Sequence, residues 1–133
     1  AEKHRGRRVT ENELGDAILG CAIRVHKALG PGLLESAYEA CLAHEFETCG
    51  LTYSRQLVLP VTYDGLRIDA GYRIDLLVAD LVVIEVKAVE KLLDVHRAQL
   101  LSYLKLGNYR LGYILNFNVT LMKDGISRLA NGL

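Results

Sequence analysis

The sequence predicts an α/β fold, a mixed sheet flanked by helices in the order ααβββαβ with a short C-terminal strand extension. Three observations predict it. Apolar residues recur at helical spacing through the first fifty residues, and the texture then turns β-branched and aromatic as far as Lys87. Helical spacing returns from about Leu92 and gives way to one more apolar strand, "RLGYILNF".

Each element has its own signal. "TENE" at Thr10–Glu13 reads as a capping box, and Leu14, Ile18, Ala22, Val25 and Leu29 follow along one helical face. "GPG" at Gly30–Gly32 stops that helix. A second begins at once, with Leu34, Tyr38, Leu42 and Phe46 on one side and Gly50 as its terminating glycine. In "LVLPVTYDGLRIDAGYRIDLLV", Asp64-Gly65 is a hairpin turn, and Pro60 suits an edge strand or a bulge. Two strands then flank Ala79-Asp80. The third helix runs through "HRAQLLSYLKLG" and stops at Gly107-Asn108, and "VTLMKDGISRL" reads as a final hairpin or strand pair around Asp124-Gly125. Asn116 and Phe117 read as the end of the preceding strand.

Composition narrows the class. The 133 residues suit one domain: residues 10–133 as its body and residues 1–9, with the basic "EKHRGRR", as a mobile tail. Sixteen basic residues balance sixteen acidic ones, which argues against a binder that lives by non-specific phosphate contacts. No apolar run approaches the ~20 residues that cross a bilayer. No charged-then-apolar leader opens the chain, so no membrane partner and a cytoplasmic location are expected. Cys21, Cys41 and Cys49 form no C-x-x-C pair and read as small core residues in a reducing compartment.

The chemistry concentrates in "RIDLLVADLVVIEVKAVE", Arg73 to Glu90, where Asp75, Glu85 and Lys87 interrupt two oily strands. An unpaired buried charge costs roughly 3–5 kcal/mol, so these residues either face water or are held together for a task. Glu85 and Lys87 share a strand face with Val83, while Ile84 and Val86 take the other. Taken alone, the pair is a plain salt bridge. Asp75 changes that reading if it opposes Glu85. Their midpoint is Asp80, so opposition requires a three-residue loop, Ala79–Leu81, or a bulge; a two-residue turn would put Glu85 on the wrong face. In the favourable register two carboxylates repel unless a cation lies between them. Oxygen donors with room for water suit Mg²⁺ or Mn²⁺, and the Val86 carbonyl offers another oxygen. Such an ion with a lysine beside it is the inventory of a phosphodiesterase.

Asp75, nine intervening residues and then Glu85-Val86-Lys87 resembles the signature of the PD-(D/E)XK nuclease superfamily. "GLLESAY", Gly32 to Tyr38, is similar to the pattern that names its GxxExxY family, and "VHKALGPG", "GYRIDLLV", "IEVKAVE", "HRAQLLSYL" and "ILNFN" resemble further blocks in the same order. The resemblance spans about residues 10–130 and implies a restriction-endonuclease-like fold. It also implies a nuclease using Mg²⁺ or Mn²⁺ on nucleic acid, with DNA expected. Asp75 and Glu85 would hold the metal, Lys87 would serve water and phosphate, and Glu35 would complete the metal shell. Gln99, four residues before Tyr103 on one helix face, resembles the RecB-like branch, in which a glutamine lies beside the lysine. His26, Tyr38, Arg55, Gln56 and Tyr103 are expected substrate contacts. His26 and His96 are lone helical histidines with a structural role as the simpler reading, and Arg55 and Gln56 are expected to precede a strand. A homodimer would let a small domain cut both strands of a duplex. The competing readings are a non-cleaving nucleic-acid-binding or assembly subunit that keeps the fold, and a small-molecule phosphoesterase.

Overall fold

A computed structural model describes residues 9–133. The basic tail expected over residues 1–9 therefore lies, except for Val9, outside the described residues, and Val9 packs partly buried against the core.

The chain opens with helix α1 (Glu11–Leu29). Thr10 caps it as its sequence implies: its Oγ1 accepts from the Glu13 amide at 3.1 Å, and the Glu13 carboxylate accepts from the Thr10 amide at 3.0 Å. Gly30, at φ 67°, ends α1 in a conformation that suits glycine. Helix α2 (Glu35–Thr48) follows. Strands β1 (Tyr53–Val58), β4 (Arg73–Val78), β5 (Val82–Lys87), β6 (Leu111–Asn116) and β7 (Ile126–Ala130) form one sheet in the order β1-β4-β5-β6-β7. Helix α3 (Asp94–Gly107) carries the crossover between β5 and β6, the parallel pair; the other pairings are antiparallel.

Two apolar layers hold the sheet. On one face Ile18, Tyr38, Leu42 and Phe46 of α1 and α2 pack on Leu76 and Ile84. On the other, Leu100 and Leu104 of α3 pack on Leu77, Val83 and Ile114. Each wholly buried side chain of this size contributes roughly 1.5–3 kcal/mol. Among the described residues no helix is long and apolar enough to cross a membrane.

Two expectations are corrected. The Asp64-Gly65 hairpin exists as β2 (Val61–Tyr63) and β3 (Leu66–Ile68), but it forms its own two-stranded sheet and is an insertion between β1 and β4. Pro60 lies between β1 and β2, outside any strand. At the C-terminus Asp124-Gly125 is no hairpin turn: Met122–Gly125 is one 3₁₀ turn that delivers β7 against β6. The close approach of Gly125 to the Asn116 carbonyl explains the break, because a side chain there would collide with backbone.

Candidate active site

The register of β4 and β5 decides whether the acids meet. Leu76 pairs with Ile84, Leu77 with Val83 and Val78 with Val82, so the loop is Ala79–Leu81 and is centred on Asp80. Ala79 and Asp80 both take positive φ, 52° and 57°, to make so short a connection. The same register carries Asp75 to Glu85, and there the ladder stops. The Asp75 amide donates instead to Glu85 Oε2 at 3.0 Å, and the Val86 amide donates to Asp75 Oδ2 at 2.8 Å. Each carboxylate thus takes a backbone donor from the opposite strand, which lets β4 and β5 part without orphaning their amides.

A third acid joins them that the sequence did not suggest. Gln56 occupies the left-handed region at φ 51°, between the paired positions Arg55↔Leu76 and Leu57↔Ile74. Beyond this kink Leu57 and Ile74 belong to the α3 layer, whereas Tyr53 and Leu76 belong to the α1/α2 layer. The Gln56 side-chain amide reaches both Asp75 Oδ1 at 3.2 Å and Glu39 Oε1 at 2.8 Å. Glu39, buried on α2, also accepts from Arg55 Nε at 3.1 Å. Arg55 and Gln56 therefore lie within β1 rather than before it, with their side chains directed to acids.

Burial and mutual repulsion set the electrostatics. Burial, and next the Asp75 charge, push Glu85 up from an ordinary 4.5 to about 8; the Asp75 amide and Lys87 pull the other way. Asp75 is also raised, chiefly by burial, with Glu39 adding repulsion and the Val86 amide opposing it. Glu85 is 5% exposed, so solvent does little to screen it. Tyr103, buried in the α3 layer, keeps its proton to higher pH through burial first and then the charges of Glu85 and Asp75. Its ring lies 6.1 Å from that of Tyr72, which stands open to solvent.

Lys87 is half-buried on the Glu85 face and makes no ion pair among the described residues, so Glu85 and Lys87 do not form a plain salt bridge. Its position is fixed through backbone. The Phe117 amide donates to the Lys87 carbonyl at 2.9 Å. The buried Asn116 side chain donates to the Val89 carbonyl at 3.0 Å and accepts from the Val89 amide at 3.1 Å. Gln99 is half-buried on α3, with no hydrogen bond to Lys87 among the described residues. Glu35 is exposed at the start of α2, and its Oε2 accepts from the Ala88 amide at 3.2 Å.

The remaining candidates have structural partners. Tyr38 is wholly buried: its hydroxyl donates to the Gly30 carbonyl at 2.6 Å and accepts from the Leu33 amide at 3.1 Å, and its ring stacks on Phe117 at 4.5 Å. It pins the "GPG" loop beneath α2 and presents no surface to a substrate, contrary to expectation. Tyr38→Phe is expected to lower stability by about 1–2 kcal/mol by removing both hydrogen bonds of a wholly buried hydroxyl to the loop, read as an earlier urea midpoint with unchanged far-UV circular dichroism. His26 Nε2 lies 2.7 Å from the Val119 carbonyl, tying α1 to the segment after β6. His96 Nδ1 accepts from the Leu93 amide at 2.9 Å, a cap on α3.

The donor set fits a hard divalent cation in part. Asp75 and Glu85 are paired carboxylates held where burial disfavours their charge, as a site awaiting a cation requires. Among the described residues, however, no three His, Cys, Asp or Glu side chains gather closely enough to hold an ion. Glu35 Oε2 takes the Ala88 amide and leaves its other oxygen free of a backbone bond among these residues. An ion here would take Asp75, Glu85 and backbone or water oxygens, the Val86 carbonyl being the candidate.

No curated protein and no solved structure matches the chain. The family model of the PD-(D/E)XK nuclease superfamily matches residues 12–129. That span runs from the first helix into the last strand and brackets the point where β4 and β5 part, so the chain belongs to the PD-(D/E)XK nuclease superfamily.

Proposed function

We propose that the protein is a metal-dependent nuclease that hydrolyses phosphodiester bonds in DNA. Members of this superfamily are generally nucleases. The observation that carries the reading is the exchange of backbone bonds by the Asp75 and Glu85 carboxylates across the parted strands, with Lys87 on the same face and in no ion pair among the described residues. Mg²⁺ or Mn²⁺, when bound, supplies Lewis-acid polarisation and charge neutralisation. Asp75 and Glu85 hold it, with the Val86 carbonyl as a further oxygen. The Lys87 ammonium orients the attacking water and meets the phosphate. Glu39, linked to Asp75 through Gln56, sets the Asp75 rotamer and adds to the negative field. Gln99 and Tyr103 stand on α3, and in this reading Gln99 supports Lys87 once substrate is present. The resemblance of the Gly32–Tyr38 block to the GxxExxY pattern, and of Gln99 with Tyr103 to the RecB-like branch, supports this reading. A cytoplasmic homodimer goes with this reading.

The test is incubation with labelled single- and double-stranded DNA and RNA in Mg²⁺, Mn²⁺ or EDTA. Cleavage of DNA that needs the ion and vanishes in Asp75→Asn is the expected result. Binding of DNA without cleavage under every metal condition would instead favour an assembly subunit, and turnover of a chromogenic phosphodiester alone would mark a small-molecule enzyme.

A further inference from the structure

Away from the acids, α1 and α2 bring two cysteines together. Cys21 is buried in the middle of α1, and Cys49 is exposed at the C-terminal cap of α2. Their sulfurs are 3.8 Å apart. Arg24, one turn beyond Cys21, donates through Nη2 to Cys21 Sγ at 3.3 Å and to Cys49 Sγ at 3.1 Å. Its Nε is held by Glu45 Oε1 at 2.7 Å, so the guanidinium is fixed against both sulfurs by a residue of α2. Burial first, and then the hydrogen bond with Cys49, push the Cys21 thiol up to about 12. Cys41 packs partly buried against the core and offers an internal reference.

We propose that Cys21 and Cys49 are a dithiol site that reacts with a hydroperoxide and closes to a disulfide stapling α1 to α2. Cys49, the sulfur that solvent reaches, reacts first. It loses its proton to water and attacks the peroxide O–O bond, becoming a sulfenic acid while the other oxygen leaves as alcohol or water. The Arg24 charge meets the negative sulfur in this step. Cys21 then attacks the Cys49 sulfur and its own proton goes to the departing hydroxide, so two thiols and one hydroperoxide yield one disulfide, one alcohol (or water) and one water. Closing 3.8 Å to the ~2.0 Å of an S–S bond moves each sulfur by roughly 0.9 Å, a side-chain adjustment between helices already in contact. The staple closes a loop between positions 28 apart and restricts the unfolded chain.

The experiment exposes the reduced, purified protein to a small excess of hydrogen peroxide, followed by intact mass, non-reducing peptide mapping and thermal melts. Expected are loss of two hydrogens, a peptide linking Cys21 to Cys49, Cys41 still open to alkylation, and a melting midpoint raised by about 5–10 °C and reversed by dithiothreitol. Cys49→Ser, a change at an exposed position, should show neither the mass loss nor the shift. The proposal is overturned by Cys49 sulfinic acid beside a reduced Cys21, by a covalent dimer through Cys49, by a bond to Cys41, or by a Cys21–Cys49 link that leaves the midpoint unchanged.

Discussion

Lys87→Ala is expected to lower the DNA cleavage rate by a factor on the order of 10²–10³ while leaving Mn²⁺ affinity unchanged or raised. The two halves have separate causes. Lys87 is held by the carbonyl and amide contacts of its neighbours, not by an ion pair, so truncating it leaves no buried partner uncompensated. Its charge favours the ionised forms of Asp75 and Glu85 against the burial that opposes them, and it also repels an arriving cation. Losing it removes both effects, which largely offset in metal binding. In the transition state nothing offsets the loss, because the negative charge that develops on the phosphoryl oxygens loses a preorganised partner. Mn²⁺ titration by calorimetry and single-turnover cleavage measure the two halves independently. A variant that cleaves at the parental rate under limiting metal would remove Lys87 from the chemistry. One that loses both metal and rate would make it a structural support for the acids.

How legible this site was depends on which part of it is local. Asp75, Glu85 and Lys87 could be found from a strand period of two residues and a loop count, and the observed register agrees with the three-residue loop. The opening of the ladder at that point could not, since nothing in the strand pattern says that side-chain carboxylates replace a backbone pair. Glu39 was missed for a related reason. Glu35 and Glu39 lie four apart on one side of α2. Which of them reaches the acids is settled by the left-handed Gln56, and a non-glycine residue at φ 51° has no signature in the sequence. Glu35 instead finds the Ala88 amide. The fold was legible where periodicity is long, in α1, α2 and α3, and at the capping box of Thr10. It was misread at Asp124-Gly125, where a hairpin-type dipeptide serves a 3₁₀ turn because the chain must pass close to the Asn116 carbonyl. The Cys21–Cys49 contact joins positions 28 apart and depends wholly on how α1 and α2 pack.

Without metal, the folded protein is expected to lose stability as pH rises from about 4.5 to about 8, and Glu85→Gln should remove most of that slope. The sign follows from where the proton is held. The folded chain keeps the Glu85 proton up to about 8, against 4.5 for the free side chain, so between these values the native state binds a proton that the unfolded state has released. Stability is therefore undiminished below 4.5, falls through the window, and levels off above 8 at a loss of a few kcal/mol at most. Asp75 is shifted in the same direction and adds to the slope from the low end. Glu85→Gln keeps the shape and an acceptor for the Asp75 amide but cannot ionise. At pH 8 it should outlast the parent in urea, and at pH 5 the two should converge. Mn²⁺ restores the parent at pH 8, by about 2.7 kcal/mol at a hundred times its dissociation constant, and does little for Glu85→Gln. Urea midpoints of both proteins at pH 5, 6.5 and 8, with and without Mn²⁺, provide the comparison. If the parent instead gains stability over the variant as pH rises, Glu85 is ionised and well partnered in the metal-free fold, and the strained pair of acids that argues for a cation is not there.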